Sequence, residues 1–415
     1  MQINTTSLFD NKLLDNTSGV QYKSYLQKRK IIFQLAARGI STISELAAIL
    51  NLSNPTITKL LMELSQEGYV RDMGKIETAG GRRPSCFGLI SNSGYFLGVD
   101  ISHDHLNFQI IDLSKNQIAL EMGVPVEIRN DYTTLEKIIS EIERFINDNE
   151  IKKEKILGIG IILGGRVDSL SGHSYNIFNF DPRPLSQLVE IKIGIPTIIE
   201  NDTRAMAYAE WNCEKTENPQ NALFVNVARG VGVGIIINGE LYYGKSGFSG
   251  EFGHIPFFDN QMICHCGKKG CLETEASGAA LERNFVSALN SGASSILSDK
   301  YQQTGTVALP DIIDAACSDD VLSIELITSV GEKVGRGIGV LLNLFNPELL
   351  VVGGVLSTVG DYLMLPIRTS LNKFSLSLVN RDSQLRLSRL GETAGVIGAA
   401  LLARKRILEI DEVSN

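Results

Sequence analysis

From Tyr22 onward, apolar residues recur at helical spacing: Leu26, Ile31, Ile32 and Leu35 form one stripe, and Gly39 closes the segment. A short second helix over 42–50 would bury Ile43, Leu46 and Leu50. Asn51-Leu52-Ser53 then reads as a tight polar turn. A third helix is predicted from Asn54-Pro55 to about Gln66, with Asn54 suited to the N-cap and Pro55 to the first helical position. Its apolar face is Ile57, Leu60, Leu61 and Leu64, and Gly68 ends it. Two short segments, Tyr69–Arg71 and Cys86–Leu89, alternate as strands around a glycine-rich stretch, Thr78–Pro84.

The pattern changes at Tyr95. Phe96–Ile101 and Leu106–Leu113 read as strand, turn, strand, and the same shape returns 126 positions later in Ala222–Val227 and Val233–Ile237. Helical periodicity over Leu135–Asn147 and Thr203–Cys213 alternates with these strands, which predicts two similar α/β lobes around a cleft. Leu349–Gly354 reads as a buried strand ending at a glycine turn, and Gly395–Leu408 as a largely apolar helix.

Composition and charge sharpen this picture. A chain of 415 residues exceeds one core and predicts two or three domains. No run of 18 or more apolar residues occurs, and the polar first residues lack the basic start and apolar stretch of a secretory signal, so a cytoplasmic protein is expected. The net charge is −8, but residues 1–95 carry 11 Lys/Arg against 7 Asp/Glu, leaving the remainder at −12. A basic head on an acidic body suits a chain of which one domain meets phosphate. Two short helices joined by a three-to-four-residue turn have the layout of a helix-turn-helix, whose second helix enters the major groove. Thr56, Thr58, Lys59 and Glu63 point away from that helix's apolar face, and Arg82 and Arg83 at the glycine-rich tip suit a wing reaching a minor groove or phosphates. The competing reading of the head is a small helical oligomerisation module.

The cysteines carry the most specific chemistry. Cys264, Cys266 and Cys271 lie close together, with His254 ten positions before the first. Three thiolates and an imidazole make a closed tetrahedral zinc set, and with no open position the metal would be structural. Free thiols are the alternative; a disulfide does not suit a reducing compartment. With Cys264 and Cys266 both ligating, His265 would point elsewhere, and Cys86, Cys213 and Cys317 read as core residues. Glu251 and Glu273 flank the cluster and offer rigid acceptors for sugar hydroxyls. Glu200-Asn201-Asp202 follows an apolar strand, where an Asp serves as a general base or accepts a hydroxyl hydrogen bond. Solvated surface carboxylates are the competing reading of each.

These residues resemble the ROK family of repressors, open reading frames and kinases, in its transcriptional repressor branch. The resemblance spans about residues 20–410. It rests on Gly80-Gly81-Arg82-Arg83-Pro84, Gly158-Ile159-Gly160, Gly164-Gly165-Arg166-Val167-Asp168, Glu200-Asn201-Asp202, Glu251-Phe252-Gly253-His254, and Cys264-His265-Cys266-Gly267-Lys268-Lys269-Gly270-Cys271-Leu272-Glu273. Residues 1–20 read as a flexible tail, and the resemblance implies a winged helix-turn-helix over 21–92 and then an actin-like, ribonuclease-H-like sugar kinase fold. In that fold lobe 1 would span 93–200, with a C-terminal helix (393–410) packed back on it, and lobe 2 would span 201–392 with the zinc loop. It further implies sugar contacts at Gly165, Asn201, Asp202, Glu251, His254 and Glu273, zinc held by His254, Cys264, Cys266 and Cys271, and DNA contacts at Asn54, Thr56, Thr58, Lys59, Arg82 and Arg83.

Two departures bear on activity. Family kinases carry Asp-x-Gly-Gly-Thr at the first phosphate turn, where this chain has Asp100-Ile101-Ser102-His103-Asp104. The second turn, Gly-Thr-Gly in the kinases, is Ala228-Arg229-Gly230. Bulk and negative charge replace the glycines that let backbone N–H groups approach phosphate. The expected protein is therefore a non-catalytic, sugar-responsive regulator with Asp202 as a vestigial base. It would act as a homodimer or homotetramer on palindromic double-stranded operator DNA, with a sugar or sugar phosphate as effector and no membrane partner. An active ATP-dependent sugar kinase with an accessory head is the alternative, and a protein effector is a third reading.

Overall fold

The computed structural model describes residues 8–9, 19–75, 84–213 and 219–408. They form two compact units, one of residues 1–201 with 396–415 and the other of 202–395.

The head opens the first unit. Helix α1 (Gly19–Arg38) is followed by strand β1 (Ser41–Thr42), helix α2 (Ile43–Leu50), helix α3 (Asn54–Gln66), and strands β2 (Val70–Lys75) and β3 (Ser85–Leu89). Gly39 and Gly68 take left-handed backbone with φ of 81° each, stopping α1 and α3. A reciprocal capping box starts α2: the Thr42 hydroxyl accepts from Glu45 N, and the Glu45 carboxylate accepts from Thr42 N. Ile43 and Leu50 are only half-buried on α2, and Leu46 and Ala47 carry its core face. The N-cap of α3 is Ser53 rather than Asn54. The Ser53 hydroxyl accepts from Thr56 N at 3.3 Å, and Asn54 and Pro55 are already helical. Ile31, Ile32, Leu35, Leu46, Ile57, Leu61 and Leu64 make the head's buried core. The strands pair antiparallel in the order β1-β3-β2, so a two-residue strand before α2 completes the sheet.

The expected tail over 1–20 needs correcting where it is described. Helix α1 already begins at Gly19, and Leu8 and Phe9 are buried. The Phe9 ring meets Tyr69 edge-on at 5.7 Å, and the Arg29 guanidinium lies 5.9 Å from its centre. Apolar burial and ring contact outweigh the polar neighbourhood of this pair. The remainder of that stretch lies outside the described residues.

The first unit continues with β4 (Tyr95–Ile101), β5 (His105–Asp112), β6 (Gln117–Pro125), α4 (Tyr132–Asp148), β7 (Ile156–Leu163), a small hairpin of β8 (Val167–Asp168) and β9 (His173–Ser174), α5 (Leu185–Ile193) and β10 (Thr197–Asn201). The sheet order is β10-β7-β4-β5-β6. The first three strands form an antiparallel meander, and β7 and β10 run parallel to β4. β4, β5 and β7 are almost wholly buried, as continuous apolar runs require. Leu135, Ile138, Ile142 and Phe145 of α4 pack on one face, with Phe145 stacked on Phe108.

The second unit holds α6 (Asp202–Asn212), β11 (Ala222–Val227), β12 (Val231–Ile237), β13 (Glu240–Leu241), α7 (Gly278–Asn290), α8 (Ser298–Thr304), α9 (Leu309–Cys317), α10 (Val321–Phe345), β14 (Leu349–Gly353), α11 (Asp361–Phe374), α12 (Ser377–Asp382) and β15 (Gln384–Leu387). Its sheet, β13-β12-β11-β14-β15, repeats the first in order and direction: an antiparallel meander, then two strands parallel to its first. The strand-turn-strand repeat in the sequence thus marks the start of each sheet.

Helix α13 (Ala394–Leu408) returns the chain to the first unit. It crosses β4 and β7 at the cross-strand pair Gly98 and Gly160. A Cβ on Gly98 would lie 2.3 Å from the Val396 carbonyl oxygen, and one on Gly160 would lie 2.1 Å from that of Ala399. Only glycine admits so close a backbone approach. The far end of α13 is bonded to the head. Arg29 Nη2 donates to Ile407 O at 2.7 Å, and Arg404 donates to Ala36 O at 3.1 Å and to Leu113 O at 2.9 Å.

Candidate functional site

Helix α3 presents Asn54, Pro55, Thr58, Lys59, Met62, Glu63 and Gln66 along a shallow groove. Lys59 is 78% exposed on this face and lies 3.9 Å from Glu63. Glu63 also receives the Lys28 ammonium at 2.8 Å, and Glu67 receives it at 2.6 Å, so α1 is locked to α3 by one lysine between two carboxylates. Burial alone would lower the Lys28 pKa, but the bonds from Glu63 and Glu67 outweigh it and hold the pKa above the usual lysine value. Thr56 shares a 2.8 Å hydrogen bond with Ser53, and the Thr58 hydroxyl donates to Asn54 O. Both hydroxyls are partly engaged by their own helix. Met62, 64% exposed, was not among the expected residues, although its i+3 spacing from Lys59 places it on the same face. Arg82 and Arg83 lie outside the described residues.

In the first unit, Gly165 and Asn201 are brought together: Asn201 Nδ2 donates to Gly165 O at 3.0 Å. Gly165 has φ of 88°, and a Cβ there would strike the Asn176 side chain at 2.8 Å, so the loop turn depends on glycine. Asn176 Oδ1 holds the next residue by accepting from Arg166 N at 2.8 Å. Glu200 is buried and accepts from the Ser169 hydroxyl and Asn201 N, both at 2.7 Å, which fixes the end of β10. Asp202 opens α6, where the helix dipole favours a carboxylate, and it accepts from Thr203 N at 2.6 Å.

In the second unit, Glu251, His254 and Glu273 gather around the cysteine loop. His254, Cys264, Cys266 and Cys271 bring their ligand atoms within 4.8 Å of one another. Cys266 Sγ lies 3.7 Å from Cys271 Sγ, and Cys264 Sγ lies 3.5 Å from His254 Nδ1. Gly270 takes φ of 69° against the Phe258 carbonyl, folding the loop back. With Nδ1 facing the thiols, His254 turns Nε2 toward Glu251, 3.7 Å away. Glu273 is buried. Its Oε1 lies 2.9 Å from His265 Nδ1 and 3.3 Å from His254 Nδ1, so this oxygen serves the cluster before any ligand. His265 is 70% exposed, but its Nδ1 meets Glu273 and its ring lies 4.9 Å from that of His254, so it borders the cluster instead of pointing clear of it. The group can hold a metal ion, and its three sulfurs and one imidazole are compatible with zinc.

The two turns that depart from the kinase pattern are also defined. Asp104 accepts at 2.7 Å from the His105 imidazole, which holds the carboxyl below the ordinary range. At the β11–β12 turn, Gly278 N and Ala279 N at the start of α7 donate to Ala228 O and Arg229 O. The Arg229 side chain is exposed and 3.9 Å from Glu282.

Comparison with known proteins agrees with this architecture. Residues 96–406 match the ROK family, and residues 26–71 match a winged helix-turn-helix DNA-binding domain. The chain is 30% identical over 365 residues to a putative xylose repressor of a Caldicellulosiruptor strain, covering 86% of this chain and 90% of that protein. It is 28% identical over 359 residues to the DNA-binding transcriptional dual regulator NagC of Escherichia coli, covering 86% and 87%. A solved ROK transcriptional regulator, a homolog of the E. coli MLC protein, superposes with a TM-score of 0.75 at 26% identity over 92% of this chain and 96% of that one. A Streptomyces griseus ROK glucokinase in complex with glucose and AMPPNP superposes with a TM-score of 0.66 at 27% identity, over 75% of this chain and all of the kinase. The share outside the kinase match agrees with the head, which the regulators have in common with this chain. With its winged helix-turn-helix joined to the paired sheets, the chain belongs to the ROK family, on the side of its transcriptional regulators.

Proposed function

We propose that the protein is a sugar-responsive transcriptional repressor that reads operator DNA with α3. The observation that carries this reading is the winged helix-turn-helix, with Lys59 exposed on its outer face, fused to a ROK body whose two phosphate turns differ in sequence from the kinase pattern. Lys59 would meet a phosphate, Asn54 and Thr58 base edges or sugar-phosphate oxygens, and Met62 an apolar base edge. Arg82 and Arg83 would extend the contact from the wing.

Asn201, Asp202, Glu251, His254 and Glu273 would take ring hydroxyls of a sugar or sugar phosphate, with Gly165 shaping the loop that holds Asn201. Phosphoryl transfer is disfavoured at both turns. Asp104, kept ionised by His105, would repel a γ-phosphate at the first, and at the second the opening N–H groups of α7 already serve the turn's own carbonyls. The residues at the cysteine loop fit zinc. Tetrahedral bonds of about 2.3 Å to sulfur and 2.1 Å to nitrogen place two sulfurs ~3.8 Å apart and sulfur and nitrogen ~3.6 Å apart. The observed separations are 3.7 and 3.5 Å. Zinc held by His254, Cys264, Cys266 and Cys271 would brace the loop carrying Glu251 and Glu273 and has no coordination position left for chemistry.

Fluorescence anisotropy of the full chain on DNA upstream of its own gene, at physiological salt, tests the reading. D-xylose, D-glucose, N-acetylglucosamine and their 6-phosphates would be added in turn. Tight, salt-sensitive binding shifted by one of them is expected. A chain that ignores DNA and consumes ATP with a hexose at enzyme-like rates would refute it. That outcome would favour a kinase, the second reading, which rests on Asp202 at the end of β10, where a base would stand.

A further inference from the structure

The chain passes between its two units at Asn201–Asp202 and again at Gly395–Val396. Within the second unit, one side chain joins the segments next to both passages. Glu210, on α6 two turns after Asp202, is 1% exposed. Its Oε1 accepts from Arg389 N and Leu390 N, at 2.9 Å each, and from the Ser388 hydroxyl. Its Oε2 accepts from Arg386 Nη1 at 2.8 Å, and the Arg386 side chain is itself only 12% exposed. Segment 386–390 leaves β15, which pairs with β14 as far as Leu387, and is tied to α6 by one buried carboxylate, a few residues before α13 begins. A carboxylate accepting two backbone N–H groups, a hydroxyl and a guanidinium is a stiff junction, because any shift breaks several charge-assisted bonds together.

We propose that Glu210 is the positioning residue through which occupancy at Asp202 reaches the DNA-binding head. Asp202 and Glu210 share one short helix, so a displacement of α6 by a ligand at Asp202 is passed to 386–390 rather than absorbed between them. From there the chain runs into α13, whose end holds the head through Arg29 and Arg404. None of the proposed DNA or sugar contacts lies in segment 386–390, so those roles do not account for a fourfold-bonded buried acid. The inference rests on the reading of Asp202 as a sugar contact.

The test compares full-length wild type with Glu210→Gln, Glu210→Ala and Ser388→Ala. Operator affinity is measured by anisotropy with and without whichever of the sugars named above shifts wild type, and sugar affinity by calorimetry. Allosteric couplings of this kind shift affinity by about 5- to 150-fold. Glu210→Ala is expected to keep sugar and operator binding while the sugar-induced change falls to within about twofold of none. Glu210→Gln keeps the acceptor for the two backbone N–H groups but faces Arg386 with an amide, and it should fall between. Ser388→Ala removes one donor, leaves no buried charge unpaired, and keeps the test decisive if Glu210→Ala fails to fold; a reduced response is expected. A full response in folded Glu210→Gln and Ser388→Ala would overturn the proposal. A wild type that binds sugar without any change in DNA affinity, or whose response survives Asp202→Asn unchanged, would instead overturn the reading of the sugar site on which it rests.

Discussion

Replacing Gly160 with alanine should loosen α13 and, with it, the seat of the head. The added Cβ would lie 2.1 Å from the Ala399 carbonyl oxygen, 2.9 Å from its carbon and 3.2 Å from the Ala403 Cβ. The first two atoms are helix backbone and cannot rotate aside, so α13 must withdraw by roughly 1 Å to restore contact distance. Overpacking of this kind costs about 1–3 kcal/mol. A withdrawal of that size also exceeds what the 2.7 Å bond from Arg29 to Ile407 O and the 2.9 Å bond from Arg404 to Leu113 O can follow. Hydrogen bonds to charged groups contribute about 1.5–3 kcal/mol each, so losing one doubles the effect. For the overpacking alone, at about 2 kcal/mol, local opening becomes ~30-fold more frequent. Hydrogen exchange on peptides covering β7, α13 and the C-terminal half of α1 reads this directly. Gly19→Ala, which meets nothing within 4 Å, serves as the neutral control. Exchange in Gly160→Ala that matches the control in all three peptides would refute the close-approach argument.

The remaining predictions concern separate sites. Lys59→Ala should weaken operator binding similarly across sequences and lower the salt slope by about 1, the signature of one lost phosphate contact; an unchanged slope in a salt titration counts against the phosphate role. Removing metal with a chelator and a thiol reagent should release about one zinc per chain, and tryptic cleavage at Lys268 and Lys269 should then become fast, as followed by mass spectrometry. Asp320 caps α10, and burial pushes its carboxyl up, but bonds from Ser323, Ile296 N and the Ser295 hydroxyl outweigh this and hold it below the usual range. A folded pKa below the unfolded one stabilises at neutral pH and is lost as pH falls through it. The stability gap between wild type and Asp320→Asn in urea should therefore be present at pH 7 and shrink below about pH 4.

Much of the fold could be read in the sequence because its strands are buried on both faces and stand out as apolar runs. Phe96–Ile101 and Ala222–Val227 are such runs, and each proved to start one of two sheets of the same order. What escaped depends on partners distant in the chain. Ser41-Thr42 carries no strand pattern of its own and becomes β1 only because β3 lies beside it. Phe9 looks like a chance apolar residue in a polar stretch until Tyr69 and Arg29 cover it. Asn54 and Ser53 are both good caps, and the polar turn alone does not choose between them. At the site, the spacing of Cys264, Cys266 and Cys271 was enough to foresee their convergence with His254. The contact of the exposed His265 with Glu273 was not legible, because it follows from Glu273 reaching back into the cluster. Glu210 carries no motif that betrays its four bonds, three of whose donors are main chain or a serine.

The return of α13 to the first unit also sets a timetable for synthesis. The glycine-paired face of β4 and β7 is complete by Asn201, yet the helix that covers it begins roughly 200 residues later. At about 5–20 residues per second, a ribosome leaves that face uncovered for some 10–40 s. The second unit, continuous from Asp202 to Gly395, can meanwhile fold whole. A newborn chain therefore carries its DNA-reading head before it has the helix that anchors it, and the head gains its seat only after the second unit has been made.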